Sequence, residues 1–218
     1  MSRRAFHPAG ILDICGVSFF MLFIVAGAIF YFDLGSPYAY LTAERIDAVL
    51  PAPAIWQPIS LGGIFKQTGR SSWAVGEAGD RAAGMAEVER RALAYGLPPV
   101  RWPEPWPTNY LLAMRVATFA FQQGRGREFT LQAFRAAFQG GHDLAVRENV
   151  LDAADAAGLD ARQAGAAAED PQIKLALRDA TDEAHRVGVF GVPTVVVGSE
   201  VFWGDDRLEE AAAALAGL

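Results

Sequence analysis

Cysteine is almost missing from this chain: Cys15 is the single one in 218 residues. An intrachain disulfide and a Cys-x-x-Cys redox pair are therefore both excluded. Histidine is nearly as scarce, and His7, His142 and His185 stand too far apart for the ligand spacing of a zinc site. Positive charge is also in deficit, with 19 Lys and Arg against 25 Asp and Glu and a net charge of −6. No basic stripe is clustered anywhere along the sequence, so a nucleic-acid partner is not expected. Internal repeats and low-complexity linkers are absent too. What is present is a globular composition, 52% hydrophobic and 20% charged. The length suits one domain, or one domain carrying an insertion.

The first 27 residues admit three readings. Arg3 and Arg4 precede an apolar run from Ile14 to Phe32, and Ala26-Gly27-Ala28 has the small-x-small form of a signal-peptidase site. That pattern reads as a secretory signal or a membrane anchor. Against it, Asp13 interrupts the approach, and the end of the run is needed as the first strand of the fold. A second reading is an over-extended start, with initiation at Val25; a third is an ordered extension. The expectation is a cytoplasmic protein with no membrane partner, export or anchoring being the alternative if the apolar run is a true leader.

From Ala28 the pattern becomes regular. Ala28–Leu34 reads as a strand, and Pro37–Leu50 as a helix with Ala39, Ala43, Ile46 and Leu50 on one face. Pro51 and Pro53 stop it, and Ala54–Ile59 reads as a second strand. A β-α-β unit of this kind implies parallel strands. From Leu61 to Val187 alanine, leucine, arginine and glutamate dominate, and helices are predicted over 79–95, 108–123, 128–139, 146–157, 160–168 and 171–187. Thr194–Val197 and Glu200–Trp203 form a hairpin around Gly198-Ser199, after which Asp205 or Asp206 caps a last helix. The plan is a thioredoxin-like α/β fold (28–60 and 188–218) interrupted by an all-helical insertion (61–187).

The chemistry gathers at Ser36-Pro37, where strand runs straight into helix. The first amides of a helix are unpaired and its dipole favours negative charge, so such a corner accepts an anion. A serine hydroxyl adds one more donor. Serine at the N-cap and proline at N1 are also what an ordinary helix start prefers, so the residues alone leave both readings open.

The wider motif set narrows this. Tyr31-Phe32-Asp33-Leu34-Gly35-Ser36-Pro37-Tyr38, Trp56-Gln57-Pro58, Leu61-Gly62-Gly63-Ile64-Phe65-Lys66 and Trp106-Pro107-Thr108-Asn109 occur in order. Gly188-Val189-Phe190-Gly191-Val192-Pro193-Thr194 and Phe202-Trp203-Gly204-Asp205-Asp206-Arg207-Leu208 complete the series. From about Ala28 to the C-terminus the chain resembles the 2-hydroxychromene-2-carboxylate isomerase and kappa-class glutathione transferase branch of the DsbA-like thioredoxin superfamily. The resemblance implies glutathione as cofactor, a small aromatic substrate, and a homodimer as in relatives. It implies that Ser36 hydrogen-bonds the glutathione sulfur, and that a cis Pro193 presents the Val192 backbone to the cysteinyl main chain. Asp206, with Asp205 beside it, would hold the γ-glutamyl end, although Asp205 stands where an uncharged polar residue is expected. Lys66 and Asn109 would lie near the substrate. Arg70 stands where kappa-class relatives would have asparagine, which favours the isomerase side of the branch. The implied activity is glutathione-dependent isomerisation by reversible thiolate addition. The alternatives are a broad kappa-like transferase or a non-catalytic glutathione-binding relative.

Overall fold

The computed structural model describes residues 27–218, so the leader readings and Cys15 lie outside the described residues. β1 (Ala28–Phe32), α1 (Pro37–Val49) and β2 (Ile55–Pro58) open the fold. β1 and β2 pair in parallel, with Phe30 opposite Trp56 and Phe32 opposite Pro58. The helical block follows as α2 (Leu61–Thr68), a 3-10 turn (Trp73–Val75), α3 (Ala78–Ala94), α4 (Leu111–Gln122) and α5 (Gly126–Phe138). It ends with α6 (Arg147–Ala156), α7 (Ala161–Ala167) and α8 (Pro171–Arg186). The chain returns as the hairpin β3 (Thr194–Val197) and β4 (Glu200–Trp203), a 3-10 turn (Asp205–Arg207) and α9 (Leu208–Ala216). The sheet order is β2-β1-β3-β4, with β3 antiparallel to both β1 and β4. This mixed sheet with its helices is a thioredoxin-like α/β fold.

β1 reads as an unbroken apolar run because it is central and covered on both faces. Phe30 and Phe32 point to one face, where the Phe30 ring meets Trp56 edge-on at 5.1 Å. Phe32 also lies 6.1 Å from Phe134 of α5 and 6.2 Å from Phe121 of α4. The helical block therefore shares one core with the sheet. On the opposite face Tyr31 packs with Ile59, Ile64, Ala184 and Val189, which brings α2 and α8 under the sheet.

Two local expectations differ from the structure. α2 is not anticipated from the sequence, because Gly62-Gly63 lowers helix propensity. It forms because the Ser60 hydroxyl accepts from the Gly63 amide at 3.2 Å and Ile64 is fully buried. A side chain at Gly63 would stand 3.0 Å from Thr181 of α8, so glycine permits this close packing. The second difference is at the last helix, which neither Asp205 nor Asp206 caps. α9 starts at Leu208 behind a 3-10 turn, and the Asp205 carboxylate is drawn away into the protein by Arg91 and Tyr95.

Candidate functional site

The site grows from the end of β1. Asp33 is buried, and its two carboxylate oxygens accept from the Gly35 and Leu61 amides, each at 2.8 Å. One side chain thus fixes the turn into α1 and the start of α2. Burial pushes the Asp33 carboxyl up, against the lowering effect of those two hydrogen bonds. Ser36 follows as the N-cap of α1, with Pro37 at N1. Its hydroxyl accepts from the Ala39 amide at 3.2 Å and donates to the Val192 carbonyl at 3.4 Å. The second bond is long and weak, so the hydroxyl proton is available to a better acceptor.

Segments 156 positions apart in the chain meet here: Ser36 touches Val192, the residue before Pro193. The Val192–Pro193 peptide is cis, as are Glu104–Pro105 and Trp106–Pro107. Among the described residues neither the Val192 amide nor the Tyr38 amide, in the first turn of α1, has a hydrogen-bond acceptor. The corner therefore combines a hydroxyl, free amides and the positive end of a 13-residue helix.

Next to it lies the turn after β4. Asp206 is exposed, whereas Asp205 is only 1% exposed. Asp205 accepts from Arg91 Nη1 at 2.7 Å and from the Tyr95 hydroxyl at 3.0 Å, and its backbone carbonyl accepts from Arg45 at 3.4 Å. Burial raises the Asp205 carboxyl, with Arg91 and Tyr95 opposing the shift. Arg91 also lies 3.5 Å from Asp206 Oδ2 and 5.5 Å over the Tyr38 ring. The expected acids are therefore not equivalent: Asp206 offers an open carboxylate, and Asp205 is fully engaged by the protein.

Lys66 and Asn109 are exposed. Lys66 stands on α2 without an ion-pair partner among the described residues. Asn109 accepts from the Leu111 amide at 3.0 Å and so opens α4. It precedes Tyr110, whose ring covers Gly35: a Cβ at Gly35 would stand 2.3 Å from the ring. Arg70 stacks over Phe190 at 4.9 Å and Trp203 at 5.2 Å, beside the Val192 segment. Tyr38, Trp73 and Trp106 form a chain of rings, 6.0 Å and then 5.5 Å apart, leading from α1 into the helical block. Tyr38 and Trp73 are half-buried, while Tyr40 and Trp106 belong to the core.

Asp33, Gly35, Arg91 and Tyr110 are the site residues that the pattern of the sequence does not single out. Asp33 and Gly35 sit inside the Ser36 motif, and an acid within an apolar strand end is a signal of a buried, hydrogen-bonded carboxylate. Arg91 and Tyr110 carry no such signal. A cavity of about 260 Å³ lies elsewhere, lined by Ile29, Tyr31, Glu183, Val187 and Val196. Among the described residues no group of His, Cys, Asp and Glu is arranged to hold a metal, and no helix is long and apolar enough to cross a membrane.

Comparison with known proteins bears on the family and the fold. The chain is 27% identical over 190 residues to a 2-hydroxychromene-2-carboxylate isomerase from Sphingobium xenophagum, covering 83% of this chain and 93% of that one. Among solved structures, a 2-hydroxychromene-2-carboxylate isomerase superposes with a TM-score of 0.76 at 22% identity, over 87% of this chain and 94% of that one. A probable DsbA oxidoreductase from Streptomyces coelicolor gives a TM-score of 0.70 at 20% identity, over 87% and 89%. The model of the DSBA-like thioredoxin domain matches residues 28–216, and the chain belongs to that family.

Proposed function

We propose that the protein is a glutathione-dependent isomerase acting on a compound of the 2-hydroxychromene-2-carboxylate type. The observation that carries the reading is the meeting of Ser36 with Val192 at the N-terminus of α1, where a redox relative would need a thiol and this chain has a hydroxyl. The isomerase relative, which aligns over most of both chains, supplies the reaction class.

The residues present fit glutathione chemically. Ser36 has a hydroxyl proton held only by a 3.4 Å bond, able to turn toward a sulfur anion. The free Val192 amide can donate to the backbone of an extended peptide, as in strand addition. Asp206 offers an exposed carboxylate for an ammonium group, and Lys66 a cation for a carboxylate or enolate oxygen. When bound, glutathione would supply a thiolate for reversible addition to the conjugated double bond of the substrate. The protein's part is to favour that thiolate. The Ser36 donor and the α1 dipole both stabilise negative charge, which lowers a thiol pKa. Tyr38 and Trp73 offer half-buried ring surface for a flat aromatic body.

The test is interconversion of 2-hydroxychromene-2-carboxylate and trans-o-hydroxybenzylidenepyruvate by the purified protein, with and without glutathione. Turnover that requires glutathione without consuming it supports the reading. Turnover that is indifferent to glutathione, or the release of a glutathione conjugate, overturns it.

A further inference from the structure

The Asp205-Asp206 turn puts two acids where, on the reading above, the glutamyl end of glutathione arrives. That end is a zwitterion, with an ammonium and a carboxylate on one carbon. A pair of bare acids would attract the first and repel the second. Arg91 changes this balance. It comes from α3, in the helical block, and its Nη1 lies 2.7 Å from Asp205 Oδ1 and 3.5 Å from Asp206 Oδ2. Its Nε is 2.6 Å from Glu87 Oε1. Its remaining terminal nitrogen, Nη2, has no acceptor among the described residues. The Arg91 side chain as a whole is 21% exposed, so it is not sealed into the core. Glu87 and Asp205 fix the position of the fork, and the Tyr95 hydroxyl in turn holds Asp205.

We infer that Arg91 and Asp206 together read the α-amino-acid head of the ligand, Asp206 taking the ammonium and Arg91 Nη2 the α-carboxylate. The inference rests on the glutathione reading and deepens it. An anion and a cation held 3.5 Å apart complement a zwitterion and neither charge alone. Asp205 acts as a positioning residue: with both oxygens bound to Arg91 and Tyr95, it holds the fork in place and its charge is neutralised rather than presented to the ligand. Arg91 is thus a specificity-determining residue contributed by the insertion to a site otherwise built on the thioredoxin frame.

A competing arrangement would place the α-carboxylate on the backbone amides of Asp205 and Asp206, which also have no acceptor among the described residues. Calorimetric titration separates the two. The ligands are glutathione and its analogue 4-aminobutyryl-cysteinylglycine, which lacks only the α-carboxylate. The proteins are the wild type and R91M/D205N, which removes the buried pair together so that no uncompensated charge threatens folding; its melting curve confirms this. The wild type should prefer glutathione by at least about tenfold, as expected for a charged hydrogen bond. The double variant should bind the two ligands within about threefold of each other. A wild type that binds both equally, or a double variant that keeps the full preference, overturns the role of Arg91 and leaves the glutathione reading standing. A wild type that binds neither ligand overturns both.

Discussion

Gly35→Ala is a substitution of one methyl group, and the structure makes it costly. Gly35 is not among the glycines with positive φ, so its backbone tolerates alanine. The obstacle is space. The new Cβ would lie 2.3 Å from Tyr110 Cδ2, 2.7 Å from Cε2 and 3.0 Å from Cγ. To reach an ordinary contact of 3.4 Å the ring must retreat by about 1 Å. The atoms in the way are the near side of a ring rather than the tip of a flexible chain. Tyr110 is also anchored through its hydroxyl, which accepts from the Thr108 amide at 3.3 Å. Overpacking of this kind costs about 1–3 kcal/mol, and weakening the Thr108 bond adds a fraction of about 1 kcal/mol. A total of about 2 kcal/mol would lower Tm by roughly 4–8 °C in a chain of this size. Urea unfolding of Gly35→Ala, Tyr110→Ala and the double variant provides the assay. With the ring removed, the added methyl should cost less than about 0.5 kcal/mol, giving a coupling of about 1.5 kcal/mol. An equal cost of Gly35→Ala in both backgrounds would refute the argument, as would a single variant as stable as the wild type.

Three further outcomes follow from the same geometry. The Asp33 carboxyl is raised by burial, so its ionised form is disfavoured in the fold and stability is lost as pH rises through its folded pKa. The stability of the wild type minus that of Asp33→Asn should therefore fall as pH climbs above about 4, read by urea unfolding; a rising difference would show that the Gly35 and Leu61 hydrogen bonds dominate instead. Asp205→Asn should cost about 2 kcal/mol, because it weakens a buried ion pair with Arg91. Asp206→Asn should stay within about 0.5 kcal/mol of the wild type yet weaken glutathione binding, and equal stability losses for the two variants in thermal melts would contradict their different burial.

How much of this was legible in the sequence varies with the physics of each element. The hairpin at Thr194–Val197 and Glu200–Trp203 is read to the residue, because β-branched and aromatic residues flank a turn with glycine at positive φ. α1 and the later helices follow from caps and apolar periodicity, within a few residues at their ends. α2 was not legible, since its stability comes from Ser60, Thr181 and burial of Ile64 rather than from its own propensity. In the candidate site, Ser36 and Val192 are reached through the resemblance, since serine before proline is by itself also an ordinary helix start. The resemblance favours Asp206 over Asp205, but two adjacent acids carry no sign that Asp205 is buried and engaged by the protein. What separates them is Arg91, 114 positions away in the chain, and no periodicity carries that contact. Tyr110 is hidden for the same reason, its partner being a glycine with no side chain to hint at a neighbour.

The central claim is that Ser36 and the α1 N-terminus hold a glutathione thiolate. A calorimetric titration of wild type and Ser36→Ala with glutathione, with thiolate absorbance recorded in parallel, tests it most directly. Glutathione should bind the wild type with a rise in the thiolate signal at neutral pH, and that rise should be lost in Ser36→Ala. Absence of glutathione binding to the wild type, or an undiminished thiolate signal in Ser36→Ala, would contradict it and leave Ser36 as the cap of a helix.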